Sequence, residues 1–194
     1  MYGSLEHGRE VLLTFDDGPH PKWTPALLDC LAKEKLKGVF FVLGKQVAAP
    51  GGKEIVRRAF NEGHRIGSHT YNHLDLRKLS EEQVRGEIRR TEDLIAEYLT
   101  DHKLLRPPYG AHNQTVDRVV RELNYYPVLW SVDPEDWKTT NKPTKWIDLA
   151  LAQIGSRAHS VFLCHDIQET TVEHFPEFLS KVRSLPDVRF IDYA

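Results

Sequence analysis

The sequence predicts an α/β fold in which parallel strands close into a barrel of about seven strands, irregular rather than symmetric. Two patterns lead there. Apolar runs of strand length alternate with helix-period segments about seven times along the 194 residues, as parallel strands with helical crossovers require. The unusual polar residues also fall just past the C-terminal ends of strands: Asp16 and Asp17 after the first, His69 and His73 after the third, Arg106 after the fourth, Asp133 and Asp136 after the fifth, His165 after the sixth. Alternation alone also fits an open doubly wound sheet. The gathering of polar residues on one face favours the barrel, whose loops on that face build active sites.

The elements follow in order. Val11 to Phe15 is an apolar run stopped by Asp16-Asp17-Gly18-Pro19, a buried strand ending in a turn. Thr24-Pro25 opens the first helix as N-cap and N1, with Leu27, Leu28 and Leu31 inward. Gly38 to Leu43 is the second strand. Lys53 to Asn61 is helical, with Ile55, Val56, Ala59 and Phe60 as its stripe, and Gly63 ends it. A short strand contains Ile66. Ser80-Glu81-Glu82-Gln83 has the capping-box pattern and starts a long helix with Val84, Ile88, Ile95, Tyr98 and Leu99 on its apolar side. Leu104-Leu105 is strand four, Thr115 to Leu123 a helix, Tyr126 to Val132 strand five, Lys145 to Ile154 a helix and Val161 to Leu163 strand six. A helix carrying Phe175, Phe178, Leu179 and Val182 and a strand from Val188 to Ile191 close the chain.

No linker, repeat or low-complexity tract interrupts this order, so residues 1–194 read as one domain, able to bury roughly 70% of its unfolded surface. A hydrophobic content of 40% and a charged content of 28% are those of a globular protein. A formal net charge of −2 excludes a general nucleic-acid binder, which needs a basic excess. No apolar run approaches the ~20 residues of a transmembrane helix, and Met1 to Glu10 is short and polar, without the pattern of a signal peptide. Two cysteines, Cys30 and Cys164, fall in helical and extended segments, so they read as buried thiols rather than a disulfide.

The chemistry centres on His69-Thr70-Tyr71-Asn72-His73. Two imidazoles four residues apart share one face of a helical turn and reach one ion. Two histidines leave a metal under-coordinated; one carboxylate completes the set and leaves a position open for water, as in catalytic zinc sites. The Asp16-Asp17 pair supplies one ligand and one free base beside it, and the pattern does not say which is which. His7, His20, His64, His102, His112, His159 and His174 have no motif around them and read as solvated or locally hydrogen-bonded. Trp23, Trp130 and Trp146 are read as core packing ahead of sugar stacking, and the charges along the long helix as a solvated face.

Five ordered segments carry a resemblance: Thr14-Phe15-Asp16-Asp17-Gly18, His69-Thr70-x-x-His73, Arg106-Pro107-Pro108-Tyr109-Gly110, Asp133-x-x-Asp136-Trp137 and Leu163-x-His165. Together they are similar to the motifs of the polysaccharide deacetylase family (carbohydrate esterase family four, the nodulation-factor-deacetylase homology domain). The match spans residues 11 to 165. The resemblance implies a distorted (β/α) barrel forming a single deacetylase catalytic domain over 1–194. It implies a metal-dependent hydrolase that removes N-acetyl groups from GlcNAc-containing polysaccharides such as chitin oligomers or peptidoglycan. Carried over by position, Asp17, His69 and His73 would be metal ligands, and Asp16 the general base held by Arg106. The Tyr109 backbone N–H would face the oxyanion. Asp136 would orient His165, the general acid, and Trp137, Leu163 and Pro108 would help to form the substrate pocket. The ion is expected to be one Zn²⁺, with Co²⁺ or Ni²⁺ able to substitute. The partner is an N-acetylated polysaccharide, the chain is expected to be a monomer, and the family setting is extracellular, periplasmic or cell envelope. Two other readings stay open: an acetyl-xylan O-deacetylase with the same site, and a metal-bearing carbohydrate-binding domain without turnover.

Overall fold

The computed structural model describes residues 8–193. Its elements run β1 (Arg9–Asp16), α1 (Trp23–Lys33), β2 (Val39–Val42), α2 (Gly44–Val47), α3 (Gly52–Asn61), β3 (Arg65–Ser68), α4 (Glu81–Ile95), β4 (Lys103–Leu105), α5 (Gln114–Glu122), β5 (Tyr125–Pro127), α6 (Lys145–Gly155), β6 (His159–His165), α7 (Glu169–Glu173), α8 (Phe175–Arg183) and β7 (Val188–Ile191). All strand pairings are parallel, in the order β5-β4-β3-β2-β1-β6 with β7 on β1. β1 is the hub. One edge pairs with β6 from Glu10 to Asp16; the other is shared by β7 along Arg9–Leu12 and β2 along Thr14–Asp16.

The period of two along β1 sorts the core. Val11, Leu13 and Phe15 face the helices and join Phe40, Ile66, Phe162, Trp146, Phe175 and Phe178 in the main cluster. Leu12 faces inward, where it meets Val39, Phe41 and Leu104 in a smaller cluster. Thr14 and Asp16 continue that inward face, so the barrel interior turns from apolar to polar toward its C-terminal end.

The parallel α/β barrel is distorted, and its closure departs from the expected strand five. β5 is only Tyr125–Pro127, not Tyr126 to Val132. Past Pro127 the carbonyls of Val128 and Leu129 are taken by the Arg106 guanidinium, at 3.0 and 3.2 Å, rather than by a neighbouring strand. The extended chain then crosses to β6. Ser131 and Val132 N–H donate to the Val161 carbonyl, Leu163 N–H donates to that of Val132, and one parallel bridge joins Val132 to Phe162.

Other elements differ in detail. α1 starts at Trp23 without a side-chain cap. Thr24 does not cap it, because its hydroxyl accepts from His20 N–H and donates to Asp166 Oδ2. The capping box at Ser80 and Gln83 is present in full. α4 ends at Ile95, and Ala96–Tyr98 form a 3₁₀ turn instead of continuing it. Phe60 is exposed on α3, against the Tyr98 ring. α2 and α7, each shorter than two turns, have no periodic signal in the sequence. Both cysteines are free; Cys164 is buried, but Cys30 is half-buried rather than buried. Trp146 is core, as expected, with its indole N–H on the Pro143 carbonyl. Among the described residues no helix is long and apolar enough to cross a membrane.

Candidate active site

β1 and β6 pair in register so that Asp16 lies beside His165 at the C-terminal edge of the sheet. Asp16 is the last residue of β1 and points inward. Its Oδ1 accepts from Arg106 Nη1 at 2.8 Å, and that nitrogen also reaches Thr14 Oγ1 at 2.8 Å. Arg106 is fully buried, with its guanidinium over the Phe41 ring at 4.2 Å. A buried guanidinium is tolerated because a carboxylate, a hydroxyl and two carbonyls satisfy its donors. Burial pushes the Asp16 carboxyl above its ordinary range, against the opposing pull of Arg106, His165 and His73.

Asp17 takes the left-handed conformation, φ 78°, and so leaves the strand direction toward β3. Its Oδ1 lies 3.6 Å from His69 Nε2 and 3.4 Å from His73 Nε2. That oxygen is buried and has no hydrogen-bond partner. His69 Nδ1 is 2.7 Å from the Arg106 carbonyl. A carbonyl only accepts, so Nδ1 carries the hydrogen and Nε2 presents its lone pair toward the aspartates. Burial, against the pull of Asp17, lowers the His69 pKa to about 3, which keeps the ring neutral. One ligand atom each from Asp17, His69 and His73 lies within 4.8 Å of the other two. A lone acceptor oxygen and two imidazole nitrogens facing one point form a donor set that fits a divalent cation.

The two histidines converge by a different route from the one expected. Residues 69–73 are not a helical turn: Thr70 and His73 are left-handed, with φ 67° and 63°, and β3 has ended at Ser68.

On the opposite wall, Asp136 is fully buried and holds His165 twice, Oδ1 on Nδ1 at 2.6 Å and Oδ2 on the backbone N–H at 2.9 Å. Thr171 Oγ1 donates to the same Oδ2 at 2.7 Å. Burial opposes charge on His165. The Asp136 charge and hydrogen bond outweigh it, with help from Asp17 and Asp16, and raise the imidazole to about 9. Its Nδ1 engaged, the ring has Nε2 left for the cleft.

A cleft of about 420 Å³ joins the two walls and is lined by Asp16, Asp17, His69, His73, Tyr109, Trp130, Asp133, Trp137, Leu163 and His165. Tyr109 and Trp137 stand exposed at its rim. Tyr109 has φ 61° in the 3₁₀ turn Pro108–Gly110, and its ring meets His73 edge-on at 4.7 Å. Pro108, the buried first residue of that turn, does not line the cleft. A groove of about 490 Å³ beside α5 and β5 is slightly larger, but it holds none of these converging groups.

The expected site residues therefore come together, apart from Pro108. Three other residues differ from the sequence expectation or are absent from it. Trp130 lines the cleft instead of the core. Thr171 supports Asp136 from α7. Glu87, placed on a solvated face, is buried and turned to the 69–73 loop. A signal for Glu87 was available: Val84, Glu87, Ile88, Thr91 and Ile95 form one buried stripe at helical spacing. Of the histidines without motifs, His64 is buried with its pKa lowered to about 4, chiefly by burial, and accepts from Gly38 N–H. His7 lies outside the described residues.

Comparison with known proteins shows the family. The polysaccharide deacetylase family model matches residues 5–128. The chain is 36% identical over 177 residues to the peptidoglycan-N-acetylglucosamine deacetylase PgdA of Listeria monocytogenes, covering 91% of this chain and 36% of that protein. It is 34% identical over 167 residues to a chitin deacetylase of Arthroderma benhamiae, covering 84% and 45%. The chain thus spans less than half the length of these two relatives. The solved structure of T48 deacetylase with substrate superposes with a TM-score of 0.83 at 37% identity, covering 97% of this chain and 90% of that one. Carrying the five motifs on a distorted parallel barrel and matching the family over most of its length, the chain belongs to the polysaccharide deacetylase family.

Proposed function

We propose that residues 1–194 form a single catalytic domain, active as a monomer, that hydrolyses the N-acetyl group of GlcNAc units in polysaccharides such as chitin oligomers or peptidoglycan. The observation that carries this reading is the pairing of two opposed devices across one cleft. Ligand atoms of Asp17, His69 and His73 converge on one side, and the His165 imidazole, held by the buried Asp136 carboxylate, lies on the other. The similar proteins named above, two of them deacetylases of peptidoglycan and of chitin, support the substrate class.

Asp17, His69 and His73 would hold one divalent ion, and two imidazoles with one carboxylate suit Zn²⁺, with Co²⁺ or Ni²⁺ as substitutes. When bound, such an ion supplies Lewis-acid polarisation of the amide carbonyl and lowers the pKa of a water to ~7.

The protein's own groups do the rest. Asp16, oriented by Arg106, accepts the proton of the attacking water; the upward push of burial on its carboxyl strengthens it as a base. The Tyr109 N–H faces the oxygen that becomes negative as the carbonyl carbon turns tetrahedral. His165 donates the Nε2 proton to the sugar nitrogen as the C–N bond breaks, releasing an amine and acetate. Asp136 holds the ring for that transfer. Trp137 and Leu163 enclose the acetyl methyl, and exclusion of water there strengthens both charge interactions.

The test is release of acetate from chitin oligomers, peptidoglycan and acetyl-xylan, measured before chelation, after it, and after return of Zn²⁺. Release from an N-acetylated polymer, lost on chelation and restored by Zn²⁺, is expected. Full activity after exhaustive chelation overturns the metal assignment. Release from acetyl-xylan alone makes the chain an ester hydrolase, and no release from any substrate a binding domain.

A further inference from the structure

The loop between His69 and His73 has two left-handed residues and no strand or helix of its own, a conformation that is unfavourable unless its surroundings impose it. Its backbone is gripped from both sides. The carbonyls of Thr70 and Tyr71 accept from Gly44 and Lys45 N–H at the start of α2, at 2.9 and 3.1 Å. The N–H groups of Tyr71 and Asn72 donate to Glu87 Oε2, at 3.2 and 2.7 Å, and Asn72 Nδ2 donates to Glu87 Oε1 at 2.7 Å. Glu87 is 6% exposed and reaches the loop from the second turn of α4. Burying a carboxylate is costly, and three N–H donors from one loop are what hold it there. The Tyr71 ring is packed into place as well. Arg90 lies over it at 3.6 Å, and a Cβ at Gly44 would come within 2.4 Å of it.

The geometry points to Glu87 as a positioning residue of the metal site. Its carboxylate locks the 70–72 backbone so that His69 and His73 turn Nε2 to one ion together with Asp17. The inference rests on the reading that these three residues bind an ion. Without Glu87, three loop donors lose their acceptor, and the loop relaxes toward conformations in which His73 swings away from Asp17.

The test uses the metal-free full chain, with Zn²⁺ titrated against a chromophoric chelator, and the Co²⁺ form followed by its visible absorption spectrum. Glu87→Ala should weaken Zn²⁺ binding about 10–100-fold, the usual effect of removing a group that orients metal ligands, and should change the Co²⁺ spectrum. Glu87→Gln should recover most of that affinity, because its one oxygen can serve both backbone N–H groups while its amide faces a reoriented Asn72. Glu87→Asp shortens the reach by one methylene and should weaken binding as the alanine does. It serves as the readout if Glu87→Ala fails to fold. A folded Glu87→Ala or Glu87→Asp protein that binds Zn²⁺ as tightly as the wild type, with the same Co²⁺ spectrum and only a lower melting temperature, overturns the proposal. A wild type that binds no Zn²⁺ overturns the metal assignment beneath it, so the two failures are told apart.

Discussion

At the scale of single residues, Asp16 and Asp17 show how adjacent carboxylates are given different environments. Asp16 ends a strand, points inward and is held by Arg106; Asp17, at φ 78°, turns an unpartnered oxygen to two imidazoles. Asp16→Asn should therefore keep its metal and lose about 10²–10⁴ in rate, whereas Asp17→Asn should lose the metal itself. Metal content and rate measured on both variants decide this, and the reversed pattern would exchange the two roles. His165 gives a second prediction. Raised to about 9, it is charged at neutral pH and available as an acid. Its folded value lies above the ~6.5 of an unfolded chain. Its contribution to stability is thus complete below about pH 6.5 and lost as pH rises through about 9. Asp136→Asn should remove that contribution, so its stability deficit against the wild type should shrink between those two values. His165→Ala should cost about 10²–10⁴ on an N-acetylated sugar, where the amine must leave protonated. On an activated acetate ester it should cost far less. Equal losses on both substrates would show that His165 is not the acid to the leaving group.

At the scale of elements, α4 and the turn after β1 contribute in different ways. The capping box fixes where α4 begins, two turns before Glu87. Ser80→Ala should remove one cap, lowering stability by about 1 kcal/mol with Zn²⁺ affinity unchanged, because Glu87 stays within the helix. The turn after β1 has no such slack. A Cβ at Gly18 would lie 2.1 Å from Asp166 Oδ2, and Asp166 is itself buried and bonded to Thr24 at 2.5 Å. Gly18→Ala must displace that carboxylate or the neighbouring Asp17. It should lose both stability and Zn²⁺ affinity, and a variant with wild-type affinity would show that Asp17 is placed independently of this contact. Denaturation and metal titration on the two variants separate a fold effect from a site effect.

At the scale of the whole molecule, parallel strands bring their C-terminal ends to one face, so residues from Asp16 to His165 meet although nearly 150 positions separate them. Arg106 works at the same scale: one buried side chain ties β4 to Asp16 of β1 and to the stretch that closes the barrel. The cleft is open at its rim, with Tyr109 and Trp137 exposed above it. On the proposed function, such a surface would take a chain of sugars and give a single sugar few contacts. Rates on monomeric GlcNAc should fall below those on a pentamer by about tenfold for every 1.4 kcal/mol of remote contact used in the transition state. Equal kcat/KM on monomer and pentamer would contradict an extended subsite.

The sequence by itself determined the alternation of strand and helix, the start of α4 at Ser80 and the five motif segments that gather at the strand ends. These are local properties: periodicity, capping and turn chemistry act over a few residues and are written where they act. The placement of Thr24 and the 69–73 loop, and the path of Val128 to Val132, were decided only in the folded chain. Thr24 has the residue type of a cap, yet its hydroxyl serves Asp166, 142 positions away. The His69-x-x-x-His73 spacing is helical, yet α2 and Glu87 supply backbone partners that favour a loop. Val128 to Val132 has the apolar character of a strand. The Arg106 guanidinium, more than twenty positions upstream, takes the carbonyls a neighbouring strand would have used. Each departure is a backbone or hydroxyl group satisfied by a distant partner, and a hydrogen bond between residues remote in sequence leaves no period along the chain from which it can be read.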